Sequence, residues 1–296
     1  MSLVISHNFA ASYAARQLEI NDDNLRNSLG KLASGKRIVR PTDDAAGMAV
    51  ELKLKASVAR GAAAKNNIQN GISFLQTQDG ILTTAVAVVS RIGELRAMAT
   101  DATKNSDDVA LYDLEYQVLR QQLIDLQSEK FNEVSMFVAA AGDQDSVDDT
   151  VDGVFKIYTT EQGSAIGAPS VTFEGVHLGT DAGGGGVLQQ VILAAHSTAG
   201  GGDLTGLTMD NILDDLQNLA NARAKNGAVQ SRLGYAYDNA SISKSNMEAA
   251  RSRIIDVDIA EESTKFASYN ILTQASASIL AQANQTGRTA LQLLMT

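Results

Sequence analysis

The sequence contains no cysteine and no tryptophan, and only two prolines among its 296 residues. Without cysteine, the chain can form no disulfide framework, thiol nucleophile or cysteine-ligated zinc site. Aromatic residues make up only 5% of the chain, so it must pack mainly through alanine, leucine, isoleucine and valine. This composition favours long helices packed at close range over the thick core of a compact enzyme.

The N-terminal segment lacks a basic region followed by an unbroken apolar run, so it does not have the form of a standard secretory signal. No run of apolar residues reaches the roughly 18 needed to cross a bilayer. By these two signals alone, the chain is predicted to be cytosolic and not inserted in a membrane.

Negative charge is concentrated in the middle of the chain. The net charge is −10, and residues 139–215 hold twelve acidic residues against the single Lys156, so this stretch sums to −11 and the rest to about +1. Nucleic acid is not an expected partner for so acidic a chain. The two nearly neutral arms, in contrast, can approach copies of themselves closely.

Apolar residues recur at helical spacing along both arms. Leu18, Leu25 and Leu32 lie seven residues apart, as a coiled-coil seam requires. Such an isolated arm is marginal as a helix in water, because nothing covers its apolar side. It therefore needs neighbours, which are the other arm and copies of both arms from other subunits, or alternatively the helices of an intramolecular bundle.

The fold class predicted from these patterns is mainly α, with long helices at both ends and a small β-hairpin region in the middle. Helices are expected over 3–32, 43–103, 108–131 and 209–296. The intervening stretch is rich in glycine and has short β-like runs at 154–160, 171–173 and 187–193, which predict two or three hairpins.

Two segments at opposite ends of the chain resemble the signatures of bacterial flagellins. The first is LASGKRIVRPTDDAAGMAV at Leu32–Val50, and the second is ARSRIIDVDIAEES at Ala250–Ser263, followed by ILAQANQ at Ile279–Gln285. Both lie on predicted helical segments and in the right order. The resemblance covers residues 1–137 and 208–296 and leaves only the acidic middle unmatched.

The resemblance implies a layered subunit. Residues 1–42 and 254–296 would form the inner coiled-coil domain that lines the filament channel, 43–137 and 208–253 the helical rod domain, and 138–207 a variable outer region of β-hairpins and loops. Gly35, Pro41 and Gly47 would shape the bend between the layers, or alternatively serve as simple helix punctuation.

The resemblance also implies a structural, non-enzymatic function: polymerisation into the extracellular flagellar filament, for motility. The expected partners are copies of the chain itself, the flagellar export apparatus and a flagellin chaperone, and the filament cap and hook-junction proteins. Export through the flagellar apparatus would explain the lack of a cleaved signal. The expected self-assembly contacts are Phe9, Tyr13, Leu18, Leu25, Leu29, Ile259, Phe266, Leu272 and Leu280.

A third implied partner is the animal Toll-like receptor that senses flagellin. Arg91, Glu94 and Leu95 together with Glu115 resemble the patch that this receptor contacts in some flagellins, although Gly93 stands where that pattern often has a charged residue. The same residues are alternatively expected to contact neighbouring subunits.

The other motifs in the sequence predict no metal site, phosphate site or catalytic site. The acidic run at 142–153 fails the EF-hand template and is interpreted as a solvated loop, while the glycines at 183–186 lack the lysine of a phosphate loop and are interpreted as a turn. None of the three histidines lies in an HExxH motif. No cofactor, metal or catalytic residue set is therefore predicted, and the rival interpretations are a hook–filament junction protein and an intracellular coiled-coil adaptor.

Overall fold

The computed structural model describes residues 8–137, 154–163, 167–179, 186–188, 191 and 204–295. The predicted fold class is confirmed, since long helices dominate and the strands are short. The helices are α1 (Phe9–Ser34), α2 (Ala45–Ala99), α3 (Ser106–Gln127), α4 (Met209–Ile255) and α5 (Ile259–Met295). The strands are β1 (Lys130–Phe131), β2 (Val134–Ser135), β3 (Val154–Tyr158) and β4 (Ser170–Glu174), and Leu204–Gly206 form a 3-10 turn.

Local side-chain bonds explain several of the helix ends. The Asn8 side chain caps α1 by accepting from the backbone N–H of Ala11. Asn105 and Asp108 form a reciprocal capping box at the start of α3. The helical pattern of the sequence runs from 209 to the C-terminus, and the family resemblance divides it into 209–250 and 254–296. The structure places the break at 256–258, where Asp258 accepts from the backbone N–H groups of Ala260 and Glu261 in α5.

Two antiparallel strand pairs form the β-structure of the described residues. β1 pairs with β2 through a tight turn, and β3 pairs with β4 in a register that places Ile157 opposite Val171. The runs predicted at 154–160 and 171–173 thus form strands. Of the run predicted at 187–193, the structure describes Val187, Leu188 and Val191. Val187 and Leu188 lie in a turn, and their backbone N–H groups donate to the carbonyls of His177 and Leu178.

The chain divides into two compact units, and the larger comprises residues 59–244. Its core follows the row on α2 that the sequence pattern predicts: Ile68, Leu75, Leu82 and Val89 are all fully buried. The described part of the middle segment adds buried side chains to the same core. These side chains are Val171, Phe173, Leu178, Leu188, Val191, Leu204 and Leu207.

Buried polar bonds hold the middle segment against the helices of this unit. The backbone N–H of Val191 donates to the fully buried carboxylate of Asp215 at 2.7 Å. The backbone carbonyl of Val191 accepts from the Tyr116 hydroxyl at 3.0 Å. The backbone N–H of Leu204 donates to Asp113 on α3. Since buried backbone groups need partners, these side chains on α3 and α4 determine where the segment can lie.

The apolar character of α2 raises the question of membrane insertion. One 18-residue window of this helix has a mean hydropathy of 1.2, and α2 is long and apolar enough to cross a membrane by length and composition. Its central apolar row is buried in the core of the larger unit. A single window of this kind is weak ground for a membrane span, because the core helix of a soluble protein passes the same test.

The smaller unit comprises residues 1–58 and 245–296. In it α1 and α5 lie side by side and antiparallel, since Asn8 bonds to Ala283 and Ser28 to Glu262. The fully buried residues of its described part are mostly small or polar. They are Ala14, Ser28, Ile38, Glu51, Ile255, Glu262 and Ser276.

Candidate assembly surface

The interface between α1 and α5 follows two rows of residues spaced by seven. On α1 the row is Ala14, Asn21 and Ser28, and on α5 it is Glu262, Tyr269, Ser276 and Ala283. Side chains bond across the pair: Asn21 Nδ2 donates to Ser276 Oγ at 2.9 Å, and Ser28 Oγ donates to Glu262 Oε1 at 2.6 Å. The heptad period matches a coiled coil, but the central positions are small or polar rather than large and apolar.

Several large apolar side chains of α1 therefore remain exposed. Phe9 is 84% exposed, Tyr13 61% and Ile20 43%. Their spacings of four and seven residues place them on one side of the helix, and we call these three residues the α1 stripe. Large exposed apolar side chains aligned on one side of a helix mark a candidate interaction site.

The other predicted assembly residues lie on the same two helices. Leu29, Ile259 and Leu272 are exposed, whereas Leu18, Leu25, Phe266 and Leu280 are half-buried beside the seam. Periodicity identified the seven-residue spacing but not the row, because the leucines flank the row that α5 covers. In the described part of the smaller unit, the exposed large apolar residues absent from the predicted set are Ile20, Val39, Val50, Leu52, Ile271 and Ile279.

The linker between α1 and α2 is bonded to the break between α4 and α5. The backbone N–H of Arg37 donates to the Ile255 carbonyl at 2.6 Å, and that of Val257 donates to the Gly35 carbonyl at 3.2 Å. The Arg37 guanidinium also donates to the carbonyl of Ile254. Two chain segments more than 200 residues apart are thus joined by backbone bonds.

Each of the three predicted bend residues has a definite local position. Gly35 ends α1 with a φ of 68°, in the left-handed region that favours glycine. Pro41 lies in the exposed linker, in the turn before α2. Gly47 lies in the first turn of α2, where its backbone N–H donates to Asp44 Oδ1 at 2.8 Å.

Asp43 ties the linker together by accepting backbone N–H groups from Arg40 at 2.9 Å and Val39 at 3.1 Å. These two bonds, that of Arg40 first, hold the pKa of Asp43 below its ordinary value. A carboxyl group whose pKa is lowered by folding stabilises the fold above its unfolded pKa. That contribution is lost as the pH falls through the lower, folded pKa.

Replacing Gly47 with alanine is expected to destabilise this linker. A Cβ there would overlap Asp44 Oδ2 and lie 2.8 Å from Cδ1 of the buried Ile38, so the expected loss is about 1–3 kcal/mol. Gly30→Ala is the matched control, because nothing lies within 4 Å of its Cβ and alanine suits a helix interior. Hydrogen exchange of the linker amides would measure both, and equal protection in the two variants would contradict the expectation.

A buried ion pair also lies in the smaller unit. Glu51 on α2 is buried, and its Oε1 accepts from Arg251 Nε on α4 at 2.9 Å. Removing one partner of such a pair leaves an uncompensated charge in a poorly solvated position. The pair therefore favours this one arrangement of α2 against α4 within the unit.

The larger unit carries the residues predicted as a receptor patch. Arg91 Nε lies 2.8 Å from Glu115 Oε1, and Arg91 Nη1 lies 2.8 Å from Glu94 Oε2. The hydrogen bonds that the Arg91 guanidinium donates, to Glu115 first and to Glu94 second, raise the pKa of Arg91 above its ordinary value. Leu95 is fully buried, so its side chain supports the core and is not offered to a partner.

A second uncovered apolar row follows α3 next to this patch. Leu111, Leu114 and Val118 are all exposed, and their spacings of three and four residues place them on one side of the helix. Sequence reasoning missed this row, because the buried residues of α3 show the same helical spacing. Tyr116 and Leu123 are fully buried.

No group of acidic or histidine residues able to hold a metal ion occurs within the described part of the chain. His177 is described, whereas His7, His196 and the acidic run at 142–153 lie outside the described residues. The prediction of a solvated acidic loop, and most of the 183–186 turn, therefore concern residues that the structure does not describe.

Comparison with known proteins agrees with this geometry. Residues 5–141 match the model of the bacterial flagellin N-terminal helical region, and residues 209–294 match that of the C-terminal helical region. The chain is 34% identical to the flagellin of Halalkalibacterium halodurans, with 99% of this chain and 100% of the relative covered. It is 33% identical to the flagellin of Bacillus subtilis, with 98% and 99% covered.

Another relative is the flagellar filament 30.7 kDa core protein of Treponema maltophilum, 32% identical with 99% of this chain and 100% of the relative covered. Among solved structures, the Bacillus cereus flagellin crystal structure aligns with a TM-score of 0.44 and 20% identity, covering 63% of this chain and 94% of that one. The two helical family models together match most of the chain, and they leave unmatched mainly the acidic middle. The chain therefore belongs to the bacterial flagellin family, whose members are structural subunits of the flagellar filament and not enzymes.

Proposed function

We propose that this chain completes its folding by packing its arms among copies of itself in the flagellar filament. The observation that carries the proposal is the mismatch within the smaller unit. The α1–α5 interface buries mainly small and polar groups, while several large apolar side chains of both helices remain exposed. A subunit built to remain single would place those side chains at its own interface.

The size of the uncovered surface supports a strong driving force. Fully burying one large apolar side chain contributes roughly 1.5–3 kcal/mol, and the α1 stripe alone has three such side chains. The cost of association and of ordering the arms must be subtracted from this gain. The exposed residues of α5, such as Ile271 and Ile279, add to the same surface.

The domain division expected from the family remains part of the proposal. In it residues 1–42 and 254–296 form the inner layer, 43–137 and 208–253 the rod, and 138–207 the outer region. The backbone bonds between the 35–37 linker and the 255–257 segment support a shared bend at Gly35, Pro41 and Gly47, because they join the end of α1 to the break between α4 and α5.

Electron microscopy of the purified full-length chain under polymerising conditions tests the proposal. We expect helical filaments from the intact chain and none from a chain that lacks residues 1–30. The truncated chain should retain the cooperative unfolding of the larger unit, whose described core lies within 59–244. Filaments from the truncated chain, or a strictly monomeric intact chain at high concentration, would contradict the assignment.

The full-length matches are to filament subunits, and no observation favours the junction-protein or adaptor interpretations. The export apparatus, a flagellin chaperone, the cap and the hook-junction proteins are proposed as further partners on the strength of the family alone. Export without a cleaved signal predicts that the secreted chain keeps the segment that precedes α1. Intact-mass measurement of the secreted protein would detect the loss of that segment.

The receptor patch is also a proposal. Its support is the exposed cluster of Arg91, Glu94 and Glu115, next to the exposed row on α3. Arg91→Ala would remove the side chain that joins the two carboxylates, and we expect it to weaken signalling in cells that express the flagellin-sensing receptor. Unchanged signalling by the monomeric variant would leave only a subunit-contact role for these residues.

A further inference from the structure

The seam between α1 and α5 contains a carboxylate where a coiled coil normally has an apolar side chain. Glu262 is 6% exposed and lies in the heptad row of α5, and Ser28, 2% exposed, lies in the facing row of α1. Ser28 Oγ donates to Glu262 Oε1 at 2.6 Å. The nearest cation is Lys265, whose Nζ lies 3.9 Å from the other carboxylate oxygen.

We infer that the Ser28–Glu262 bond sets the register in which α1 and α5 pair, and so selects one alignment of the two arms. The physical reason is the cost of burying a carboxylate without a partner, which far exceeds the modest net gain of the bond itself. A single polar residue in a coiled-coil seam is known to select register in this way, at a cost in stability.

The remainder of this seam discriminates poorly between registers. Residues such as Ala14 and Ser276 are small, and small side chains fit a shifted partner about as well as the native one. The described α1 row, Ala14, Asn21 and Ser28, has none of the large apolar knobs that usually resist sliding. Hydrogen bonding between polar side chains of the two helices is therefore the feature that distinguishes the native alignment from one shifted by a heptad.

The two possible one-heptad shifts fail for different reasons. One brings Glu262 opposite Gly35, beyond the end of α1, where the Ser28 hydroxyl is out of reach. The other brings Glu262 opposite Asn21, whose amide can replace the hydroxyl. It moves Ser276 away from Asn21, however, and breaks the backbone bond between Arg37 and Ile255. The native register is the one that satisfies all of these groups together.

Disulfide trapping in the full-length chain tests the inference, and the absence of native cysteine makes it clean. Asn21→Cys with Ser276→Cys reports the native register, because these two side chains already touch. Asn21→Cys with Ala283→Cys reports the shift that brings Glu262 opposite Gly35. Asn8→Cys with Ser276→Cys reports the shift that brings Glu262 opposite Asn21. A heptad corresponds to about 10.5 Å along a helix, beyond the reach of a disulfide.

We expect native trapping to exceed shifted trapping at least tenfold in the unmodified seam. Ser28→Ala combined with Glu262→Leu should reduce that ratio tenfold or more, because an apolar seam tolerates sliding. Glu262→Gln keeps the acceptor oxygen and should retain the ratio. A purely structural role would instead reduce trapping in all three pairs equally and leave the ratio unchanged.

Two outcomes would overturn the inference: an unchanged ratio in the double variant, or no trapping of any pair in the unmodified seam. The reaction is run on dilute, unpolymerised chain, and intrachain products are separated from dimers on non-reducing gels. Sedimentation under polymerising conditions is measured separately. The trapping ratio can therefore contradict the inference about register while sedimentation still shows filaments. Conversely, sedimentation can show no filaments while the trapping ratio confirms the register.

Discussion

A chain in which Phe9, Tyr13 and Ile20 are all replaced by serine is expected to remain folded and to lose filament formation. None of these three side chains is buried in the single subunit, so their loss removes little packing from it. If all three are buried in the filament, the loss is about 5–9 kcal/mol per subunit at roughly 1.5–3 kcal/mol each. At 1.4 kcal/mol per tenfold, the concentration required for polymerisation rises by on the order of a thousandfold or more.

The measurement is the concentration of chain left in solution after sedimentation of the polymer. A matched control replaces Glu19 and Asn27 with serine, since both are exposed polar residues of the same helix. We expect this control to polymerise at close to the unmodified concentration. If the α1 stripe variant did so as well, the surface proposed for assembly would lie elsewhere.

Replacing Phe74 with alanine is expected to produce the largest loss of stability from a single substitution. Phe74 is 8% exposed, and its ring lies 5.8 Å from that of Phe131, 5.2 Å from Phe155 and 6.2 Å from Phe173, measured between centroids. It thus connects α2 to both strand pairs. Truncating a buried phenylalanine costs about 3–5 kcal/mol, and the lost ring pairs add to that cost.

Urea unfolding, followed by circular dichroism, would measure this loss as a lower midpoint with a similar slope. Phe9→Ala is the control, because the same atoms are removed from a side chain that is 84% exposed. We expect its effect on unfolding to be within about 0.5 kcal/mol. Equal midpoints for the two variants would show that the aromatic cluster does not hold the strands against the helix.

The elements predicted correctly from sequence are those in which local signals agree. The row Ile68, Leu75, Leu82 and Val89 predicts the buried side of α2, and all four residues are buried. The end of α1 at Gly35 follows from the same reasoning, since glycine adopts the left-handed conformation found there. These are properties of one segment and its solvent, so they can be deduced from neighbouring residues.

The predictions that failed depend on contacts between distant segments. Val187 and Leu188 have the composition of a strand, but backbone bonds to 177–178 hold them in a turn. The break at 256–258 has no proline or glycine to mark it. It coincides instead with backbone bonds to the 35–37 linker, and no local pattern contains that information.

For the assembly surface, too, local sequence signals and contacts between distant segments decide different features. Sequence pattern identified apolar stripes on α1 and α5 but could not say which stripe the partner helix covers. The structure places Ala14 and Ser28 at the interface and leaves Phe9 and Tyr13 exposed. A hydrophobic period records only that one side of a helix avoids water, and either an intramolecular or an intermolecular neighbour satisfies it.

By itself, then, the sequence determined the helical character of the chain, its acidic middle and its family, because composition, spacing and terminal signatures are properties of the linear chain. Only the tertiary structure decided that the described part of the middle segment contributes to the helical core and that a serine and a glutamate meet in the α1–α5 seam. It also decided that Phe9, Tyr13 and Ile20 of α1 are left exposed. The physical reason is that burial depends on which distant groups come within a few ångströms of each other. Those distances are set by all the elements packing together, and no single segment contains them.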